Sequence, residues 1–142
     1  MRTYYLFLFS ALLLGIPLFA SDGERADPEG EEDPIIFDVE SYGEEWLLGD
    51  TSGDGQVDYA LRRNDAGEKA REAVDFNGDG YMDDFYFYDR RGVLVRQELD
   101  TNHDQEIDLW VYLHRGVYVS GYRRDTDYDG RIDLEKEFGE EE

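Results

Sequence analysis

The sequence predicts an all-β fold: an antiparallel meander of tandem β-hairpins, about eight strands, with calcium loops along one edge. Three observations carry this. A nine-residue acidic pattern occurs four times, opening at Asp50, Asp75, Asp100 and Asp125, so the copies start 25 residues apart. Between copies lie two short runs rich in aromatic and β-branched residues around a Gly-containing turn, a hairpin composition rather than a helical one. A fixed period of this size in a 142-residue chain favours a repetitive architecture over one compact core.

Residues 1–20 read as a secretory signal. Arg2 supplies the positive start, residues 4–18 an apolar run, and Ala20 a small residue for cleavage, so the mature chain is expected to begin near Ser21. An uncleaved anchor is the alternative, because the run is nearly long enough to cross a bilayer. No second apolar run follows, and the chain has no cysteine, so neither a lipidated cysteine nor a disulfide is available. The expected location is outside the cytoplasm, secreted, periplasmic or at the cell surface, without stable membrane insertion after cleavage.

Residues 21–34 are acidic and contain Pro28 and Pro34, the composition of a disordered linker. Residues 35–49 carry two apolar segments around Gly43, which predicts a capping hairpin whose own acidic loop is missing. Residues 50–138 hold the repeats. The second is the clearest: MDDFYFY, a turn at 89–92, then VLVRQEL. In the third, Ile107, Leu109, Val111 and Leu113 fall on one side and Asp108, Trp110 and Tyr112 on the other, predicting an aliphatic core face and an aromatic, polar face. The first has helix-forming composition at 60–74, but the turn signal at 64–67 matches the turns of its sisters and favours strands. The fourth supplies one strand, and residues 139–142 form an acidic tail.

Oxygen-bearing side chains at positions 1, 3 and 5 with Gly at position 6 are the spacing of a loop that closes around a hard cation. An EF-hand loop finishes with a bidentate Glu at position 12, where this chain has Leu61, Tyr86, Val111 and Lys136. Instead every copy has Asp at position 9, after an apolar position 8 filled by Val57, Met82, Ile107 or Ile132. A turn needs Gly or Asn but not three crowded carboxylates, which repel one another without a counter-ion. Calcium is expected ahead of magnesium because flexible oxygen-rich loops suit the larger ion. The fourth loop has the most carboxylates and is expected to bind best. The third has Gln105 in place of Gly at position 6 and is expected to be weakest.

The pattern resembles the D-x-[DN]-x-D-G-x-x-D calcium loops of FG-GAP and VCBS repeats, which join two β-strands. The resemblance covers the loops alone; the 25-residue period is too short for the four-stranded blades of those families. It implies Asp50, Ser52, Asp54 and Asp58 as side-chain ligands with Gln56 giving its carbonyl. The corresponding sets are Asp75, Asn77, Asp79 and Asp83 with Tyr81; Asp100, Asn102, Asp104 and Asp108 with Glu106; and Asp125, Asp127, Asp129 and Asp133 with Arg131.

The formal charge of −22 argues against nucleic-acid phosphates and anionic membranes as partners and favours cations. Eleven Tyr and two Trp give an aromatic face that suits a protein or carbohydrate partner, although cross-strand packing in a thin sheet is the simpler use. The leading expectation is therefore a secreted repeat protein whose β-sheet scaffold calcium stabilises, in a structural, adhesive or binding role. A dockerin-like interaction module is the alternative and requires helices after the loops. No enzyme is expected: His103 sits in a loop facing solvent, His114 in a turn, and no nucleophile constellation is apparent.

Overall fold

A computed structural model describes residues 34–139; the expected signal, nearly all of the linker, and residues 140–142 of the tail lie outside them. The chain forms β1 (Trp46–Gly49), β2 (Tyr59–Arg63), β3 (Lys69–Val74), β4 (Asp84–Tyr88), β5 (Leu94–Leu99), β6 (Leu109–His114), β7 (Tyr118–Arg124) and β8 (Leu134–Glu137). They make one antiparallel sheet in sequence order, with β1 and β8 at its edges. The all-β meander is therefore the architecture of the protein, and the sheet stays open.

Each hairpin turns where the sequence offers left-handed backbone or an Asx acceptor. Asn64 Oδ1 accepts from the Ala66 and Glu68 amides, and Asp89 Oδ1 from those of Arg91 and Val93. Arg115 and Gly116 both adopt positive φ, which matches the twist of paired strands. The register shifts at Arg62/Arg63, Phe87/Tyr88 and Tyr112/Leu113, the same step of each of the first three repeats. These bulges hold successive hairpins equivalent, so the four acidic loops line one end of the sheet and the short turns the other.

Residues 35–49 correct the expected capping hairpin. They supply β1 alone, preceded by a strap, residues 35–42, that folds over one face of the sheet and contains a short 3₁₀ turn, Val39–Ser41. The strap joins the second acidic loop through Val39 N to Gly80 O (3.1 Å) and Met82 N to Phe37 O (2.7 Å). Aromatic edges seat it: Phe37 on Phe85 at 5.3 Å and Tyr42 on Trp46 at 4.9 Å. The strap is braced internally, because the Tyr42 hydroxyl donates to Ile36 O and Asp38 caps the 3₁₀ turn.

The strap also decides which face is the core. Strand alternation places Leu48, Ala60, Ala73, Phe85 and Trp110 on one face and Leu47, Leu61, Val111 and Tyr122 on the other. The core cluster of Trp46, Ala60, Ala73, Met82 and Phe85 lies under the strap, on the face that carries Trp110; of the aliphatic set expected from the sequence, Ile107 packs against it, and Leu61 is buried on the opposite face. Small Ala60 and Ala73 leave room for Ile35, Phe37 and Val39 to approach. Strands β6 and β8 have no buried residue, so the core occupies only the amino-terminal half of the sheet. The opposite face carries a polar network: Glu72 accepts from Lys69 Nζ (2.6 Å) and from the hydroxyls of Tyr59 and Tyr88, while Asp84 accepts from Tyr86 and Gln97. Burial, followed by the bond to Glu72, pushes the Tyr59 hydroxyl up to about 12.

Candidate metal centre

Four loops, residues 50–58, 75–83, 100–108 and 125–133, repeat one backbone course. The position 1 carboxylate reaches across its loop: Asp75 Oδ1 accepts from Gly78 N (2.7 Å) and Oδ2 from Gly80 N (2.9 Å). Asp50, Asp100 and Asp125 do the same for their loops. The position 5 carboxylate accepts from the position 7 amide, as Asp54 from Gln56, Asp79 from Tyr81, Asp104 from Glu106 and Asp129 from Arg131. The position 9 carboxylate returns to the loop's start: Asp58 to the Thr51 and Ser52 amides, Asp83 to Phe76, Asp108 to Thr101 and Asp133 to Thr126.

The carboxylates at positions 1, 5 and 9 therefore each hold amides of their own loop. Hydrogen bonds from Gly55 and Gly53 lower the pKa of Asp50, and the Thr51 amide leads those that lower Asp58. At position 3, Asn77 and Asn102 bond the position 5 carboxylate at 3.0 and 2.8 Å, and Ser52 instead bonds Asp50. In the fourth loop position 3 is a carboxylate, and acidic oxygens of Asp125, Asp127 and Asp133 all lie within 4.8 Å of one another. No other such trio occurs among the described residues, in keeping with the uncharged Ser52, Asn77 and Asn102 at position 3. The Asp129 charge, then burial, then Asp133 and Asp125 push the Asp127 carboxyl above its ordinary range. Three carboxylates so placed could hold a cation. Among the described residues no backbone amide bonds the Asp127 carboxylate, and two positive charges would relieve its repulsion.

Three features escaped sequence reading. Position 4 as well as position 6 is left-handed: φ is 79° at Gly53 and 76° at Gly78, but the residues there in the later loops are His103 (62°) and Tyr128 (60°). The third loop thus carries two strained non-glycine residues, with Gln105 at 69°, and the fourth carries one. The glycines at position 4 of the first two loops were the available signal. Secondly, Thr at position 2 latches position 9: Thr101 and Thr126 each donate a hydroxyl to Asp108 and Asp133 at 2.7 Å. Thirdly, His103 does not simply face solvent, because its Nδ1 lies 2.7 Å from Asp83 Oδ1 in the preceding loop. This bond is the leading cause of its raised pKa.

Backbone bonds also join neighbouring loops: Asp75 N donates to Asp58 O, Asp100 N to Asp83 O and Asp125 N to Asp108 O, at 2.9–3.0 Å. Each loop leads directly into a strand, so the helices that the dockerin-like alternative requires are absent among the described residues.

No family model matches the sequence, and no curated protein matches it. A crystal structure of accessory secretory protein 1, 2 and 3 in Streptococcus pneumoniae is similar at a TM-score of 0.44 and 11% identity. The alignment covers 68% of this chain and 21% of that one, so the chain spans about a fifth of its length. Among the described residues no helix is long and apolar enough to cross a membrane.

Proposed function

We propose that the protein is a secreted calcium-binding repeat protein in which one ion per loop staples adjacent hairpins of the sheet, with a structural, adhesive or binding role. The observation that carries this reading is the convergence of Asp125, Asp127 and Asp133, with Asp127 repelled by its neighbours. The other three loops share the same backbone course with one fewer carboxylate. Asp50, Ser52, Asp54 and Asp58, with the Gln56 carbonyl, would hold the first ion; the equivalent residues would hold the others. Bound calcium supplies charge neutralisation and a fixed bridge between the start and end of each loop.

The thin core makes such bridges consequential. Six hydrophobic residues are buried among those described, and no disulfide supports the sheet. At a Kd of about 0.1 mM and calcium of about 1 mM, each site adds about 1.4 kcal/mol of folding stability. Four sites together match the low end of total stability for a small domain. The apolar amino-terminal run supports export, which places the protein where calcium is millimolar.

Thermal melting of the purified protein in EDTA and in millimolar calcium tests the reading. A β-type spectrum whose Tm rises by more than about 10 °C with calcium is expected. An unchanged Tm would reduce the loops to turns capped by aspartate.

A further inference from the structure

The second loop alone is met by the strap; it also carries Phe76 where its sisters have Thr at position 2, and its position 9 carboxylate, Asp83, faces His103 of the third loop. The strap's two backbone bonds flank Tyr81, running from Val39 N to Gly80 O and from Met82 N to Phe37 O. In an antiparallel bridge of this kind the central residue's own N–H and C=O point away from the bonded partner. The strap therefore grips the peptide units on either side of Tyr81 and leaves the Tyr81 carbonyl directed away from it. That carbonyl belongs to the same peptide unit as the Met82 N–H, and donation to Phe37 O polarises the unit and makes the carbonyl a stronger oxygen donor. The equivalent amides of Val57, Ile107 and Ile132 have no backbone partner among the described residues. Packing follows the same asymmetry: Met82 is fully buried in the core, whereas Ile132 is 46% exposed.

We propose that strap residues 35–42 are an intramolecular partner of the second loop and make it the tightest calcium site of the four, so that strap docking and calcium binding there stabilise one another. The inference rests on the calcium reading above. It reverses the order expected from carboxylate number, because the strap's two bonds fix a loop whose left-handed positions, Gly78 and Gly80, are unstrained, and this outweighs one extra charge; the first loop shares that glycine pair, Gly53 and Gly55, but has no strap. Reciprocity follows from linkage: whatever factor the docked strap adds to calcium affinity, calcium adds to strap docking.

Trp46, buried against Tyr42 of the strap, reports docking. The experiment uses the full chain with Trp110→Phe, which leaves Trp46 as its one tryptophan, titrated with calcium while equilibrium dialysis counts bound ions. Val39→Pro removes one strap donor at little other cost. Val39 opens the 3₁₀ turn, where proline is tolerated, and Asp38 before it is already extended at φ −67°, ψ 121°. Expected results are a roughly five-fold weaker tightest site in Val39→Pro, the worth of about one hydrogen bond, with the other sites unchanged. A larger loss is expected in Phe37→Ala. The calcium-dependent Trp46 signal should vanish in Asp79→Ala and persist in Asp129→Ala. The proposal is overturned if both strap variants leave all site affinities unchanged, or if the signal follows Asp129 instead. Wild-type protein that retains no calcium in dialysis overturns the calcium reading and the coupling together.

Discussion

Asp127 is the residue that an ordinary turn does not explain. The position 1 and position 9 carboxylates accept backbone amides and would be useful in a turn without any ion. Asp127 faces Asp129, Asp133 and Asp125 instead, and its carboxyl titrates above the usual range. For a carboxylate whose folded pKa is raised, the folded state binds the proton more tightly than the unfolded one. Stability without calcium therefore falls as pH rises from the ordinary carboxylate range through that of Asp127. Asp127→Asn is expected to act with opposite signs in two conditions. In EDTA at neutral pH it raises Tm by a few degrees and flattens this decline, whereas in calcium it shrinks the Tm gain. A variant that lowers Tm equally in both conditions would assign Asp127 a packing role. The same scale shows why loop strain was only half legible: Gly at position 6 is visible in three copies, whereas His103 and Tyr128 disguise the left-handed position 4.

Among the elements, the acidic loops were legible in the sequence because ligand and turn chemistry both require particular side chains at fixed spacing. The strap was not. Its bonds are backbone to backbone, join Phe37 and Val39 to residues more than 40 positions away, and leave no signature in side-chain type. Alternation along β6 separated the two faces correctly, but only the strap determines which one is covered, so the aliphatic face was mistaken for the core. The apolar residue at position 8 of each loop is deepest where the strap covers it. Met82 is the largest fully buried side chain, while Ile132 at the other end of the array is half exposed. Met82→Ala is therefore expected to cost about 3 kcal/mol in calcium, against less than about 1 kcal/mol for Ile132→Ala, measured by urea denaturation. Equal costs would mean that all four loops are anchored alike and that the strap adds little.

Across the whole molecule, loop-to-loop bonds make stability a nearest-neighbour property. The third loop is tied on both sides, through Asp100 N to Asp83 O and Asp125 N to Asp108 O, with the His103–Asp83 contact as a third link. The fourth is tied to the third alone among the described residues. On the calcium reading, an ion in the third loop would fix a segment that two neighbours lean on, even though Gln105 and His103 strain its backbone. Asp104→Ala, which removes a position 5 ligand from the third loop, is expected to lower Tm in millimolar calcium by about 5–10 °C. Asp129→Ala at the equivalent place in the fourth is expected to lower it by less than about 5 °C, since about 1 kcal/mol moves a domain of this size by 4–8 °C. In EDTA both costs should shrink, because Asp104→Ala then removes only the acceptor of the Glu106 amide and the Asn102 side chain, and Asp129→Ala removes the acceptor of the Arg131 amide while relieving Asp127. If the fourth-loop variant costs as much as the third in calcium, the loops act independently and the sheet is stabilised site by site rather than along the array.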